Sequence, residues 1–371
     1  MAISFMEGNE AIARGAVAAG CTFFAGYPIT PATTVFATML KLLPSSGGIC
    51  IQGEDEIASM GYCIGASMAG RKVLTATSGP GISLYSEQIS FAQGSEIPMV
   101  IVDVQRLGPS TGSATRGADS DIQFLRWGCS SGVPTIVLAP RDALDCYVLT
   151  VHAFNFAEEF RCPVFIASNK EIGMTKESVD LDSAVLPPIK DRALYQGNSF
   201  LPFAAEPDGV PPFLPIGSGT LVRQTSSTHG PDGYITIDPG VIAASQERLR
   251  TKILCATDRI TLFDETVRSG ADTLVISYGV TSRAVDDACL RIEKLGRKVS
   301  SLCLKTLWPV PEALIREKSE GYGRIVVFEM NLGQYVEEIR KVLPGRRIDF
   351  YGQMDGTLIT PGKIVEVIGH E

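Results

Sequence analysis

The sequence has 371 residues, of which 45% are hydrophobic and 20% charged, with 37 glycines. This composition excludes a disordered chain and is typical of a soluble α/β enzyme with many tight turns, long enough for two domains. The net charge is −8 and no cluster of Lys and Arg stands out, which argues against a nucleic acid partner.

Cysteine and histidine spacing limits the metal chemistry. The nine cysteines contain no Cys-x-x-Cys pair, which indicates buried, reduced thiols, and any iron–sulfur cluster is therefore expected in a partner chain. The three histidines lie far apart, which argues against a zinc site or a His-based triad. No apolar run of about 18 residues exists and residues 1–7 lack a basic start, so we expect a cytoplasmic protein without a membrane span.

The first elements alternate helix and strand. Asn9 is a typical N-cap for a helix over 10–19, and an apolar strand is predicted over 22–25. Tyr27-Pro-Ile-Thr-Pro31 follows this strand, and its prolines predict a rigid turn before a helix that begins at Pro31. A rigid loop at a strand end is also a suitable place for a ligand group.

The next strand ends at Gln52 and runs into three acids, Glu54, Asp55 and Glu56. Acids at a helix start are stabilised by the positive end of the helix dipole, so a well-made helix N-terminus is the simplest interpretation. The small residues over 58–66 would let this helix pack closely against another backbone.

Two further strand ends carry special sequences. A strand over 72–76 leads into Thr77-Ser-Gly-Pro-Gly81, a turn able to cradle an anion although it has neither Walker nor dinucleotide spacing. A strand over 98–103 delivers Arg106, whose forked guanidinium suits a carboxylate, and a polar loop over 107–121 follows. For Arg116, in this loop, a surface ion pair is the simpler interpretation. Loops at successive strand ends of an α/β sheet converge on one crevice, which predicts a site there.

Strands over 134–139 and 163–167, with a helix over 142–160, complete a doubly wound parallel sheet within residues 1–175. Residues 176–265 form a Pro/Gly-rich connecting region, which we expect to pack on a surface such as that of a partner chain. Residues 266–371 contain four strand patterns alternating with helices, a smaller α/β domain. Its Glu329-Met-Asn-Leu-Gly-Gln334 follows a strand, and we assign this motif to an interface or structural role.

Several motifs in this order resemble the α subunit of the 2-oxoacid:ferredoxin oxidoreductases, most closely the 2-oxoglutarate type. They are the Tyr27–Pro31 loop, the Glu56 segment, Thr77-Ser-Gly-Pro-Gly81, Gly108-Pro-Ser-Thr-Gly112, Tyr278-Gly279, Leu307-Trp308-Pro309 and the 329–334 motif. The resemblance implies a thiamine diphosphate pyrimidine-binding domain followed by a transketolase C-terminal-like domain. It also implies a β subunit with the diphosphate and Mg²⁺ site and a [4Fe-4S] cluster, a γ subunit, ferredoxin as electron acceptor and coenzyme A as cosubstrate.

The resemblance assigns roles to individual residues. Glu56 matches the glutamate beside the aminopyrimidine ring, with Glu54 and Asp55 as competitors. Thr30 matches the substrate-binding threonine and Arg106 its charged partner. The remaining implied contacts are Ser110 and Thr111 for the substrate and Pro28, Ile29, Ser78 and Gly79 for the cofactor; no metal ligand is implied in this chain.

Other functions remain open on the sequence alone. The segment 113–119 departs from the commoner 2-oxoglutarate pattern, which leaves pyruvate and branched-chain 2-oxo acids as alternative substrates. The order of domains also resembles the β subunit of lipoamide-dependent 2-oxoacid dehydrogenases and the end of transketolase. A non-catalytic organising subunit is a third alternative, and a nicotinamide-dependent dehydrogenase is disfavoured because Gly-x-Gly-x-x-Gly is missing.

Overall fold

The computed structural model describes residues 3–130 and 132–369, so Met1, Ala2, Ser131, His370 and Glu371 lie outside it. The strands of the first half of the chain are β1 (Ser4–Glu7), β2 (Phe23–Gly26), β3 (Ile49–Gln52), β4 (Val73–Thr77), β5 (Met99–Gln105), β6 (Ile136–Leu138), β7 (Pro163–Asn169) and β8 (Lys176–Val179). Its helices are α1 (Gly8–Ala18), α2 (Thr33–Leu42), α3 (Glu56–Met68), α4 (Pro80–Leu84), α5 (Ser86–Gly94), α6 (Ile122–Trp127), α7 (Ala143–Phe160) and α8 (Lys170–Met174).

The second half begins with two helices and continues as a strand–helix alternation. Its helices are α9 (Pro239–Leu254), α10 (Thr257–Ile260), α11 (Thr281–Lys294), α12 (Glu312–Ser319), α13 (Val336–Val342) and α14 (Pro361–Gly369). Its strands are β9 (Phe263–Thr266), β10 (Thr273–Tyr278), β11 (Val299–Leu304), β12 (Thr306–Trp308), β13 (Arg324–Glu329) and β14 (Ile348–Gly352).

The larger sheet has the strand order β12-β6-β7-β5-β4-β2-β3, parallel throughout except for β12. Every residue of β5 is buried, as expected for a strand covered on both faces. Val100, Val102 and Val104 face the core that contains α1 and α7, whereas Met99 and Ile101 face the core that contains α3 and α5. Helices therefore cover both faces, which is the doubly wound arrangement that the sequence predicts.

A second sheet has the order β14-β13-β10-β11-β9, with β9 antiparallel to its neighbour. A short antiparallel pair, β1 with β8, lies apart from both sheets. The two sheets are not independent, because β12 follows β11 of the second sheet in the sequence and pairs with β6 of the first. No described helix is long and apolar enough to cross a membrane.

The start of α1 differs from the prediction. The helix begins at Gly8, with Glu7 in the N-cap position, so the N-cap role predicted for Asn9 is wrong. The buried Asn9 side chain instead donates from Nδ2 to the Pro31 carbonyl and to Thr34 Oγ1, both at 2.8 Å. Asn9 thus ties α1 to the loop that follows β2.

Helix α3 begins as predicted but leaves one face open. Asp55 is its N-cap, because its carboxylate accepts a hydrogen bond from the Ala58 N–H at 2.7 Å. Apart from its own helical turn, a Cβ atom at Gly61 or Gly65 would meet no atom of the described residues within 4 Å, and Ile57 and Tyr62 beside them are exposed. The predicted close packing is therefore present only on the inner face of α3, where Cys63 Sγ lies 3.7 and 3.5 Å from the Ala25 and Leu74 carbonyl oxygens, and the face with Gly61 and Gly65 is open among the described residues.

The connecting region packs on the larger sheet and its helices, called here the first sheet's unit. Buried ion pairs anchor it there. Arg192 contacts Glu158 of α7 at 2.6 Å. Glu96 contacts Lys252 and Arg248 of α9 at 2.7 and 2.6 Å. The Pro/Gly composition did not indicate the 16-residue helix α9. The domain boundaries at 175 and 265 stay a prediction.

Candidate active site

Four loops meet at one edge of the first sheet. Strands β5, β4, β2 and β3 are neighbours and parallel, so their carboxyl ends lie side by side. The loops that follow them carry the Tyr27–Pro31 segment, the three acids, Thr77-Ser-Gly-Pro-Gly81 and Arg106. The crevice predicted from the sequence is present.

Burial separates the three acids at the start of α3. Glu54 is exposed and accepts a hydrogen bond from the Tyr62 hydroxyl at 3.0 Å, while Asp55 is used as the helix cap. Glu56 is only 8% exposed. It packs over the start of α4, where a Cβ atom at Gly81 would lie 3.1 Å from Glu56 Oε1 and 2.0 Å from Thr77 Oγ1. A side chain at position 81 would collide with Thr77 Oγ1 and crowd the Glu56 carboxyl group.

Polar atoms without partners lie on the same turn as Gly81. Thr77 Oγ1 and Ser78 Oγ are buried and have no hydrogen-bond partner among the described residues. Buried polar groups are normally satisfied, so these atoms indicate a polar ligand at the turn. The Gly79 backbone has φ +41°, a conformation that favours glycine. The turn therefore fits a ligand with polar atoms next to Glu56.

Arg106 joins two of the loops. Its side chain is buried, and Nη1 donates to the Thr30 carbonyl at 2.7 Å. A Cβ atom at Gly79 would lie 3.4 Å from Arg106 Cγ and Nε, so the arginine stem runs along this glycine. Arg106 Nε has no partner within the described ranges, which leaves it available to an anion.

A cavity of about 450 Å³ opens beside Arg106. It is lined by Gly79, Ser83, Arg106, Gly108, Pro109, Ser110, Ser120 and Asp121, and by Leu332, Gln334 and Met354 from the second sheet's unit. This volume suits a small organic ligand. Of the predicted substrate residues, Arg106 and Ser110 line the cavity, whereas Thr111 is exposed outside its lining, and Thr30 contributes its carbonyl to Arg106. Pro28 and Ile29 are half-buried in the neighbouring loop.

Sequence reasoning missed the residues that the second sheet's unit contributes. The 329–334 motif, assigned an interface or structural role, joins the two sheets within this chain: Gln334 Nε2 donates to the Ser120 carbonyl at 2.6 Å and its Oε1 accepts from the Gln123 N–H at 2.9 Å. The same motif also lines the cavity through Leu332 and Gln334. The motif follows a strand of the second sheet, and this position at a strand end was the sequence signal that could have placed it at the site.

Three acids were also missed: Asp121 in the cavity lining, and Asp103 and Asp119, which are buried outside it. Burial, followed by the nearby Asp121, raises the pKa of Asp103 well above its usual value. Burial raises the pKa of Asp121 to about 6, although Asp103 and Arg106 act in the opposite direction. Burial also raises the pKa of Asp119 to about 7. No spacing in the sequence marks these acids as a group.

Two family models match the chain. Residues 14–246 match the thiamine diphosphate-binding domain of pyruvate flavodoxin/ferredoxin oxidoreductase. Residues 271–364 match core domain II of pyruvate:ferredoxin oxidoreductase.

Individual relatives cover nearly the whole chain. The KorA subunit of 2-oxoglutarate synthase from Methanothermobacter thermautotrophicus is 39% identical over 366 residues, which are 98% of this chain and 97% of that protein. The VorB subunit of ketoisovalerate oxidoreductase from Methanothermobacter marburgensis is 31% identical over 359 residues, 97% of this chain and 95% of that protein.

A solved structure shares the fold closely. The 2-oxoglutarate:ferredoxin oxidoreductase from Magnetococcus marinus, with 2-oxoglutarate, coenzyme A and succinyl-CoA bound, is similar with a TM-score of 0.93 at 31% identity. The similarity covers 99% of this chain and 65% of that chain, so this chain spans about two thirds of that length. The predicted doubly wound domain with a smaller transketolase C-terminal-like domain is confirmed.

Proposed function

Because the chain belongs to the family of 2-oxoacid:ferredoxin oxidoreductases, we propose that it is the α subunit of a coenzyme A-acylating enzyme of this family. The reaction is the oxidative decarboxylation of a 2-oxo acid to an acyl-CoA and CO₂, with reduction of ferredoxin. The observation that carries the proposal is the burial of Glu56, alone among three adjacent acids, over the glycine turn at the end of β4. The family assignment replaces the lipoamide-dependent, organising and nicotinamide-dependent alternatives.

The cofactor is thiamine diphosphate, shared with a β subunit. When bound, it supplies an acidic thiazolium carbon and an electron sink for decarboxylation. Glu56 would hold a proton at the pyrimidine ring nitrogen, while Ser78 and Gly79, with Pro28 and Ile29 across the crevice, would contact the ring. The unpartnered hydroxyls at Thr77 and Ser78 support this role. Mg²⁺ and a [4Fe-4S] cluster are assigned to partner subunits.

Arg106 and Thr30 would hold the carboxylate end of the substrate. The guanidinium is fixed by its bond to the Thr30 carbonyl, and its remaining N–H groups are available to a carboxylate. Ser110 and Thr111, in the adjoining loop, would face the far end of the substrate. Gln334 adds a neutral amide to that wall of the cavity.

We favour 2-oxoglutarate as the substrate. Relatives named for 2-oxoglutarate reach 39% identity, against 31% for those named for ketoisovalerate. Pyruvate and branched-chain 2-oxo acids are the alternatives, since Leu332 and Met354 give the cavity an apolar side.

The open face of α3 would receive the β subunit. Gly61 and Gly65 have open space beside them among the described residues, Ile57 and Tyr62 are exposed, and all four lie on the helix that carries Glu56. A second subunit seated there would reach a cofactor bound against Glu56. A γ subunit and ferredoxin complete the proposed assembly, which we assign to the cytoplasm.

Reduction of a low-potential viologen dye tests the reaction class. The anaerobically purified complex would be offered 2-oxoglutarate, pyruvate and a branched-chain 2-oxo acid separately, with and without coenzyme A. We expect coenzyme A-dependent dye reduction with 2-oxoglutarate. A complex that contains thiamine diphosphate and iron but reduces the dye with none of these acids would refute the proposal.

Glu56→Gln tests the assignment of the acid. We expect turnover to fall by about 10²- to 10⁴-fold, the usual contribution of a general acid–base group, with assembly intact. Glu54→Gln is the matched control, because Glu54 is exposed and only two residues away. Equal losses in the two variants would remove the special role of Glu56.

A further inference from the structure

Asp103 and Asp121 form a pair of carboxyl groups at the wall of the cavity, Asp103 fully buried and Asp121 partly buried in the lining. Asp103 lies in β5, and Asp121 follows the 107–121 loop. Both oxygens of Asp103 and the Oδ2 atom of Asp121 are buried without a hydrogen-bond partner among the described residues. The two carboxyl groups are nevertheless close enough to form a hydrogen bond with each other.

A shared proton explains two of these three unpartnered oxygens, one on each carboxyl group. Two ionised carboxylates would only accept hydrogen bonds and would repel each other in a site with little water. When one carboxyl group carries a proton, it donates to the other, and the buried oxygens facing each other are satisfied. The pair then holds one negative charge.

That charge lies next to the substrate-binding arginine. Asp121 lines the same cavity as Arg106, and the two interact electrostatically. Asp103 is fully buried and outside the cavity lining. A negative charge on Asp121 therefore competes with a substrate carboxylate for Arg106, whereas a charge on Asp103 does so less.

We propose that Asp103 and Asp121 share a single proton and that Asp121 is a positioning residue, whose negative charge weakens the hold of Arg106 on the carboxylate of the 2-oxo acid. The shared proton is a property of this chain alone, whereas the effect on substrate binding rests on the proposed function.

Other charged groups face the pair from the neighbouring elements. Arg106 follows β5, and Asp119 precedes Asp121 in the loop. Glu329 of β13 acts on Asp119 in turn, and the Gly79 amide of the turn after β4 favours the ionised form of Asp103. Asp119 is the group that needs a control, since its own pKa of about 7 is close to that of Asp121.

The first test reads the proton directly. Infrared spectra of the purified chain at neutral pH should contain the C=O stretch of a protonated carboxyl group. Asp103→Asn should remove the part of this band that belongs to the pair, and Asp119→Asn should leave that part in place. A band unchanged by Asp103→Asn and by Asp121→Asn would overturn the shared proton, whatever the enzyme's activity.

The second test reads substrate affinity in the assembled complex. In the wild-type complex, KM for the 2-oxo acid should rise with pH through about pH 6, where Asp121 ionises, by on the order of tenfold. Asp121→Asn should abolish this step. Asp103→Asn should keep the step near pH 6, because the asparagine amide donates to Asp121 as the protonated Asp103 does in the wild type. Asp119→Asn should keep the step.

Asp103→Asn and Asp121→Asn are therefore predicted to differ in the pH dependence of KM. A purely structural role would give both variants the same pH dependence. A KM step that stays in place in all three variants would overturn the positioning role, even with the infrared band present. Loss of kcat in Asp121→Asn without loss of the step would also overturn it. A complex inactive with every 2-oxo acid would refute the proposed function but leave the infrared test valid.

Discussion

Asp119 is a buried carboxyl group that binds no ligand in the proposed mechanism. Its Oδ1 atom accepts a hydrogen bond from Asn169 Nδ2 at 2.9 Å, and its Oδ2 atom has no partner among the described residues. Burial, opposed by Asn169 and reinforced by Glu329, raises its pKa to about 7. The folded chain therefore binds a proton that the unfolded chain has already released between about pH 4 and pH 7.

Asp119→Asn should stabilise the chain above pH 7. In the wild type, the free energy of unfolding falls as pH rises through this window, because the native state binds more protons than the unfolded state. The asparagine keeps its oxygen for Asn169 and carries no charge, so we expect a gain on the order of 2 kcal/mol at pH 8 and almost none at pH 4. Urea unfolding at the two pH values measures the difference. The exposed Asp258→Asn is the control, and an equal change at both pH values would contradict the explanation.

At the residue scale, the sequence predicts which loops meet but not every side chain that lines the site. Parallel strands share an edge, so the positions of Arg106 and the glycine turn follow from the pattern. Glu54, Asp55 and Glu56 look alike in the sequence, and only the packing over Gly81 distinguishes Glu56. Asp103 and Asp121 are brought together by a loop whose path no local signal determines.

At the scale of elements, α9 is held to the first sheet's unit by a cluster of charged side chains that are almost completely buried. Glu96 is fully buried and forms ion pairs with both Lys252 and Arg248. Burial alone would raise the pKa of Glu96, but the two cations outweigh it and lower the pKa to about 2. The stabilising effect is present above the unfolded value of about 4.3 and is lost as pH falls towards 2.

Glu96→Gln should therefore loosen α9 from the sheet. Removing one partner of a buried pair leaves an uncompensated charge, which costs about 3–5 kcal/mol. We expect a loss of this size at pH 7, measured by urea unfolding, and a smaller loss near pH 3. Glu247→Gln breaks an exposed pair with Arg250 on the same helix, and should cost less than about 1 kcal/mol. Similar losses in the two variants would contradict the role of burial.

The elements themselves were predicted to different extents. Strands β4, β5 and β7 are largely apolar runs bounded by turn residues, so their positions follow from the sequence. Helix α9 was missed because the prolines and glycines before it dominate the composition and its buried face is short, with Leu249, Lys252 and Ile253. Tertiary ion pairs, which the sequence pattern does not show, hold this helix in place.

At the scale of the whole molecule, the open face of α3 is where we expect assembly to be most sensitive. Gly65→Leu adds a large side chain where this chain has open space, so its own fold should tolerate the change. In the complex, the added volume would separate the two subunits, and we expect loss of co-purification with the β subunit.

Size-exclusion chromatography and thermal unfolding separate the two effects of Gly65→Leu. The variant should keep the melting temperature of the isolated chain and elute without its partner. Ala313→Leu, at an exposed position of α12, is the control and should still assemble. Normal assembly of Gly65→Leu would move the predicted interface to another surface.

The pairing of β12 with β6 also determines how the chain can be made. On the ribosome, β6 emerges long before β12, and until then its outer side is an unpaired strand edge able to recruit another chain. A gene truncated between the two sheets would yield a first unit with that edge permanently bare. We therefore expect such a fragment to aggregate. In the full chain, the last third of the sequence supplies the strand that pairs with this edge and prevents newly synthesised copies from associating through it.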